Sequence, residues 1–199
     1  MYWKELLSNP EKAIKKVMKE KKFNNIVNLL VLEWILIGLA SFATLYQSYD
    51  VQTLGLATIS LIFLGIIGTL GASLLVAITF SVLGGRGRYF HALASTTLGL
   101  FAPSLAFLVA ALFSLAGISG VVVGFLVVLF LGLLGIATFV RSIKEMYKVD
   151  YITVWIGISI LGLSVAVALY ASAVFGIVQI PELSKLSQAF QLPQTLTLP

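Results

Sequence analysis

Five long apolar stretches constrain this chain more than any other feature of its sequence. Each has roughly 20 residues or more, and together they contain one charged side chain, Glu33. About 20 helical residues, at a rise of 1.5 Å each, cross a hydrocarbon core of roughly 30 Å. The stretches therefore predict spanning helices over residues 26–46, 54–83, 90–115, 120–140 and 152–180.

The overall composition supports this interpretation. Of 199 residues, 59% are hydrophobic and only 11% are charged, whereas a soluble domain has about 25% charged residues. The predicted fold class is all-α: a polytopic membrane protein, a bundle of five transmembrane helices preceded by an amphipathic interfacial helix. Its parts are a cytoplasmic basic amphipathic segment (1–25), a five-span membrane domain (26–180) and an outer carboxyl-terminal tail (181–199).

The amino-terminal segment predicts a basic amphipathic helix that begins near Pro10. Either Asn9 caps this helix, with Pro10 in the first position, or Ser8 and Glu11 form a capping box. Apolar residues at helical spacing form one face, and lysines form the other. The pattern is typical of a helix in the membrane interface, with anionic headgroups near the lysines; the alternative is a solvated basic helix held only by the following span. The candidate lipid or partner contacts are Lys15, Lys16, Lys19, Arg86 and Arg88.

The distribution of lysine and arginine predicts the orientation. Twelve of the thirteen basic residues lie in the amino-terminal segment, the second-to-third loop or the fourth-to-fifth loop, which five spans place on one side. Positive loops face the cytoplasm. We therefore expect a multi-pass protein of the cell membrane with its amino terminus in the cytoplasm and its carboxyl terminus outside.

Several classes of function find no support in the sequence. The chain has no cysteine and a single histidine, His91, so thiolate chemistry and histidine-cluster metal sites are excluded. The glycine-rich run at residues 84–88 lacks the Lys-Ser/Thr ending of a phosphate-binding loop and follows a span rather than a strand. The net charge is +5. The basic residues lie between or before apolar runs, which favours anionic phospholipid over nucleic acid as the partner. We expect no enzymatic activity and no cofactor.

Glu33 is the one candidate for an intramembrane polar site, with Asn28 and His91 as its possible companions. A carboxyl group at that depth is a functional hypothesis by default. It would either bind an ion or substrate, or serve a structural role. In the structural role it would be a neutral acid facing a water pocket, or would pair at the cytoplasmic edge with Arg86, Arg88, His91 or Arg141.

Small residues predict helix packing, because helices in lipid associate through close contact. A glycine stripe on the fourth span is expected to face another helix of the same bundle, in preference to a dimer interface; its members are Gly120, Gly124, Gly132 and Gly135. Pro103 removes a backbone donor within the third span and predicts a kink there.

Residues 83–103, LGGRGRYFHALASTTLGLFAP, resemble the signature region of the Ypt-interacting-protein (Yip domain) family. The matching positions are Gly84, Gly85, Gly87, Tyr89 or Phe90, Gly99 and Pro103. Residues 9–17 and 139–155 also resemble segments of prokaryotic members. The resemblance implies a five-span bundle with a cytoplasmic amino terminus. Eukaryotic members bind prenylated Rab-type GTPases and shape membranes, but this chain lacks their long lead and its Asp-Leu-x-Gly-Pro motif, so GTPase binding is not expected.

The sequence thus predicts a scaffold or interaction protein that contacts anionic membrane lipids, a protein partner or a second copy of itself at the cytoplasmic face. The alternative is a small-solute or ion permease that uses Glu33 and the helix containing Pro103.

Overall fold

The structure, a computed structural model, describes residues 3–46 and 49–174, and its regular structure there is entirely helical. The described helices are α1 (Trp3–Ser8), α2 (Pro10–Glu20), α3 (Phe23–Leu45), α4 (Val51–Val82), α5 (Tyr89–Ser114), α6 (Ile118–Tyr147) and α7 (Tyr151–Val174). The predicted tail at 181–199 and the end of the fifth predicted span lie outside the described residues.

Helices α3 to α7 are long and apolar enough to cross a membrane. The predicted all-α polytopic fold with five spans is therefore confirmed. The largest difference in length is in α6, which continues beyond residue 140 to Tyr147. It continues because Ile143, Met146 and Tyr147 are buried in the protein, so the helix has an apolar face to pack after its membrane-spanning part ends.

Helix α2 begins at Pro10 because Asn9 caps it: the backbone N–H of Lys12 donates to Asn9 Oδ1 over 3.0 Å. Of the two predicted caps, the structure contains this one, and Ser8 instead donates weakly to Glu5 O. The apolar face of α2 is covered by protein, since Ala13, Ile14 and Val17 are at most 1% exposed. At these three residues protein covers the apolar face, because α2 packs on α6.

Helix α5 lies at the centre of the bundle, in contact with α3, α4 and α6. Its buried positions are mostly alanine, serine, threonine and glycine, which allow close helix approach. A Cβ atom on Gly135 of α6 would lie 2.5 Å from Pro103 Cδ and 2.6 Å from Gly99 O of α5. This close α5–α6 contact therefore depends on Gly99 and Gly135 and on the position of the Pro103 ring.

The predicted glycine stripe on α6 is present in part. Gly120 and Gly124 are also buried, against backbone atoms of Phe113 and Ala110 at the other end of the same α5–α6 contact. Gly132 does not belong to the stripe, since a Cβ atom there would meet nothing within 4 Å. At 100° per residue, Gly132 lies about 80° around the helix from Gly124, whereas Gly135 lies about 20° from it.

Residues up to Trp155 form one compact unit, which contains α1 to α6 and the beginning of α7. A second unit starts at Ile156, and the structure describes its helical residues as far as Val174. The functional site described below lies wholly within the first unit.

Candidate anion site at the basic end of the bundle

Three basic segments that are remote in sequence meet at one end of the first unit. The backbone N–H of Arg86 donates to the carbonyl oxygen of Tyr147 over 3.0 Å, and Arg141 Nη1 lies 3.6 Å from Glu11 Oε2. These contacts join the glycine-rich turn and α2 to the last turns of α6. We call this region, formed by α1, α2, residues 83–88 and residues 141–150, the basic end.

The glycine-rich turn wraps around Tyr147, the last residue of α6. Gly84 has a φ of +84°, a left-handed backbone conformation that glycine adopts at little cost. Gly85 donates its N–H to Phe80 O over 2.8 Å. Gly85 and Gly87 face the Tyr147 ring so closely that a Cβ atom at either position would collide with it. The glycines thus let the turn lie against the ring, which fixes the position of Arg86.

His91 caps the amino terminus of α5. Its Nδ1 accepts a 2.9 Å hydrogen bond from the backbone N–H of Arg88, while its own backbone N–H donates to Arg88 O over 2.8 Å. The hydrogen bond at Nδ1 assigns the proton of the neutral ring to Nε2. His91 therefore has a structural role through one nitrogen and a free donor on the other.

A cavity of about 290 Å³ opens at the basic end where α2, the glycine-rich turn, α5 and α6 meet. It is lined by Met18, Lys21, Arg86, His91, Met146 and Lys148. Three of these six side chains are cations and none is an acid. Because lysine and arginine can only donate hydrogen bonds, the polar part of the lining is suited to a ligand that accepts them.

The three cations of this cavity have no ion-pair partner among the described residues. The acids nearest to them along the chain are otherwise engaged. Glu20 lies 3.8 Å from Lys22 Nζ, and Asp150 Oδ1 accepts a 2.8 Å hydrogen bond from the N–H of Thr153 at the start of α7. The positive charge of the cavity is thus uncompensated by the part of the protein that the structure describes.

Lys21 and Lys148 also share an unusual backbone. They end α2 and α6 in the left-handed conformation, with φ of 47° and 56°. They are the non-glycine residues with positive φ in the described chain. Helices commonly end this way with glycine, whereas a residue with a Cβ atom pays roughly 1–2 kcal/mol for it. Both strained residues line the same cavity.

The lysines on the exposed face of α2 are less available than the sequence predicts. Lys15 Nζ bonds Glu11 Oε1 over 2.8 Å, and Lys16 Nζ bonds Glu5 Oε1 over 2.8 Å. The hydrogen bond to Lys15 lowers the pKa of Glu11 and raises that of Lys15. The hydrogen bond from Lys16 likewise lowers the pKa of Glu5.

The remaining predicted contacts are placed differently from one another. Lys19, Arg86 and Arg88 are all exposed, and of the three only Arg86 lines the cavity described above. Of the five basic residues that the sequence put forward for lipid contact, Arg86 is therefore the one that lines this cavity.

The predicted intramembrane site is not assembled. Glu33 is fully buried, roughly 15 Å along α3 from Phe23 at 1.5 Å per residue. Asn28 is exposed and lies about 140° around α3 from it. His91 is in the first turn of α5. The first turns of α3 and α5 lie side by side, since the ring centroids of Phe23 and Phe90 are 6.4 Å apart. The three residues thus do not form one site.

Both carboxyl oxygens of Glu33 lack a hydrogen-bond partner among the described residues. The predicted pairing of Glu33 with Arg86, Arg88, His91 or Arg141 is therefore absent from the structure. Next to it on α3, the Trp34 ring lies against Gly65, and its Nε1–H donates to Thr69 Oγ1 over 2.9 Å. The tryptophan, not the glutamate, makes the polar contact between α3 and α4 at this depth.

Sequence reasoning missed four residues of the cavity: Met18, Lys21, Met146 and Lys148. No local pattern marks Lys21 or Lys148, because a left-handed helix end is normally signalled by glycine or asparagine. The one available signal was that both lysines follow an amphipathic helical run at its end, where a cation also complements the helix dipole.

These features define an all-α, multi-pass integral membrane protein with a basic cavity at one end of its helical bundle. Comparisons with protein-family models, with curated proteins and with solved structures gave no match to this chain. The resemblance of residues 83–103 to the Yip domain family therefore stays a prediction. In the described chain, no group of three or more histidine, aspartate or glutamate residues is arranged to hold a metal ion.

Proposed function

We propose that the protein is a non-enzymatic scaffold that gathers anionic lipid, and through it partner proteins, at the cytoplasmic face of the cell membrane. The observation that carries this proposal is the group of unpaired cations at the basic end: Lys21, Arg86 and Lys148. Each lysine or arginine near an anionic membrane surface contributes about 1 kcal/mol of attraction. A basic end facing the cytoplasm also agrees with the positive-inside rule.

The position of these cations favours lipid over other polyanions. They lie at the ends of α2 and α6 and in the turn that precedes α5, at the margin of helices suited to the hydrocarbon core. Lipid phosphates are concentrated at that level of a bilayer. A soluble nucleic acid would have to approach along a surface that the phospholipid headgroups already occupy.

The proposal is tested by the lipid that the protein retains. The full chain is reconstituted in nanodiscs of equal parts phosphatidylcholine and phosphatidylglycerol, extracted in mild detergent and analysed by native mass spectrometry. We expect phosphatidylglycerol to be enriched in the retained lipid, and high salt during extraction to reduce the enrichment, since salt screens exposed charges. Retained lipid with the composition that was supplied, at low and high salt, would contradict the proposal.

The alternative function, a small-solute or ion permease, is favoured by one observation. Glu33 places two unpartnered carboxyl oxygens in the middle of a spanning helix, where ionisable groups commonly mark ion or substrate pathways. The apolar cleft of about 530 Å³ between α3, α5 and α6 does not include Glu33 in its lining. Proton or solute flux into proteoliposomes that Glu33→Gln abolishes would establish the permease, and flux-free vesicles would exclude it for the solutes tested.

A further inference from the structure

We propose that the cavity lined by Lys21, Arg86 and Lys148 is a specific binding site for one phosphate group. The identification of a lipid headgroup as the source of that phosphate rests on the proposed function. The site itself rests on the donors, size and backbone of the cavity, and a soluble phosphate would present the same chemistry to it.

The polar side chains that line the cavity all offer hydrogen-bond donors. The lining includes two lysines and one arginine, and the ring of His91 can donate through its Nε2–H because its Nδ1 already accepts from the N–H of Arg88. A phosphate group offers only acceptor oxygens and a negative charge, and its hydrogen bonds to charged donors are the strong ones. The side-chain donors and the ligand are therefore complementary.

The size of the cavity limits the ligand. Its volume of about 290 Å³ is at the lower limit of the roughly 300–1,000 Å³ of small-molecule sites. A phosphate with a short glycerol ester fits this space. Met18 and Met146 complete the lining with an apolar wall, suited to the carbon atoms that follow the phosphate in a lipid headgroup.

The backbone of the two lysines argues that the cavity is a site rather than an accident of surface charge. Lys21 and Lys148 adopt the left-handed conformation at the ends of different helices. Glycine would be more stable in this conformation. Non-glycine residues that are held in it concentrate at binding sites and other functional sites. Attraction to a helix dipole explains a cation in the last turn, but it does not explain the choice of lysine at the left-handed position itself.

The test measures binding of phosphate compounds to the full chain in phosphatidylcholine nanodiscs. Isothermal titration uses dihexanoyl phosphatidic acid, dihexanoyl phosphatidylcholine and inorganic phosphate as separate probes. We expect saturable binding of one dihexanoyl phosphatidic acid per chain. Arg86→Gln, Lys21→Gly and Lys148→Gly should each weaken it about ten-fold or more, since each removes a charged hydrogen bond. Lys19→Gln, which changes an exposed lysine outside the cavity, should leave the affinity within about two-fold.

The glycine variants separate binding from folding. Because Lys21→Gly and Lys148→Gly relieve a left-handed residue, their melting temperatures should equal or exceed that of the unchanged protein while their affinity falls. An affinity unchanged in these variants, or equal losses in Lys19→Gln, would overturn the proposal. Absence of saturable binding by phosphatidic acid and by inorganic phosphate would overturn it as well.

The probes also identify the source of the phosphate. Binding of dihexanoyl phosphatidic acid but not of inorganic phosphate supports a lipid headgroup, and equal binding of both supports a soluble phosphate compound. If the protein enriches phosphatidylglycerol and the cavity variants bind unchanged, this inference fails and the proposed function stands. If the cavity binds inorganic phosphate and no anionic lipid is enriched, the proposed function fails and the cavity remains a phosphate site.

Discussion

Glu33 is the residue whose environment departs most from ordinary protein chemistry. Its carboxyl group is fully buried in a spanning helix, and neither oxygen has a hydrogen-bond partner among the described residues. A buried polar group without a partner costs about 1–3 kcal/mol. The sequence identifies Glu33 as a carboxyl group inside a spanning helix. It cannot identify a partner for this group, since the neighbours of Glu33 depend on how the helices rotate against one another.

We expect Glu33→Leu to stabilise the protein by about 1–3 kcal/mol, because it removes an unpartnered buried carboxyl group and keeps a similar volume. Glu33→Gln, the matched control, keeps two polar atoms in the same place and should give no such gain. Unfolding in detergent micelles, followed by circular dichroism, measures both variants. A loss of stability in Glu33→Leu would show that the carboxyl group has a partner, such as a bound ion.

At the glycine-rich turn we expect Gly87→Ala to cost about 1–3 kcal/mol, because the new methyl group would overlap the Tyr147 ring and overpacking of this kind is destabilising. The control is Gly68→Ala, in the exposed middle of α4, where a Cβ atom meets nothing within 4 Å. There alanine should stabilise the helix by up to about 1 kcal/mol. Thermal unfolding measures the two variants, and equal effects would contradict the packing described for the turn.

At the scale of helices, periodicity predicts which face is apolar but not what covers that face. The spacing of Ala13, Ile14 and Val17 identifies α2 as amphipathic, and the helix is present. Lipid and protein are equally good covers for three aliphatic side chains, so the sequence pattern cannot distinguish an interfacial helix from one packed on α6. The sequence also cannot show that α6 continues beyond its predicted end at residue 140, since its last two turns are stabilised by packing within the protein, including the contact with α2.

The α5–α6 contact provides a matched pair of substitutions on one helix. We expect Gly135→Ala to destabilise the protein by about 1–3 kcal/mol, because overpacking is destabilising. The new methyl group would meet Pro103 Cδ at 2.5 Å and Gly99 O at 2.6 Å. Gly132→Ala, three residues earlier, has open space and should be neutral or stabilising by up to about 1 kcal/mol. Denaturation in micelles separates the two, and a larger loss in Gly132→Ala would refute this helix orientation.

The ion pairs of α1 and α2 predict a loss of stability in acid. Lys16 lowers the pKa of Glu5, and Lys15, then Arg141, lower the pKa of Glu11. A carboxyl group with a lowered pKa in the folded state contributes stability above its ordinary pKa of about 4.3, and that contribution is lost as pH falls through the lowered value.

The measurement is the difference in melting temperature between the unchanged protein and Glu11→Gln as a function of pH. The difference should be small but positive at neutral pH, because the pairs are exposed, and it should vanish as the pH falls through the lowered pKa of Glu11. Added salt at neutral pH should reduce it too. A difference that is constant from neutral to acid pH would mean that Glu11 acts through packing instead of charge.

For the whole molecule, the spans were predictable and the cavity was not, and the reason is physical. A span is a local property, because about 20 apolar residues suffice to cross the core wherever they occur. The cavity is a property of assembly: Lys21, Arg86 and Lys148 come from segments more than sixty residues apart and meet only because the glycine-rich turn bonds to the end of α6. Charge counting placed the three on one side of the membrane, and helix packing brought them together.

The orientation of the whole chain gives the last prediction, and the absence of cysteine makes it direct, since each single-cysteine variant has no background. Lys19→Cys and Arg88→Cys, both exposed at the basic end, should react with a membrane-impermeant maleimide only after cells are opened. Tyr49→Cys and Ser119→Cys, exposed at the other ends of the spans, should react on intact cells.

Labelling of Lys19→Cys on intact cells would reverse the orientation and remove the cytoplasmic lipid surface from the proposed function. Lys19→Cys and Tyr49→Cys that label from the same side would show that α3 does not cross the membrane, against its length and hydropathy.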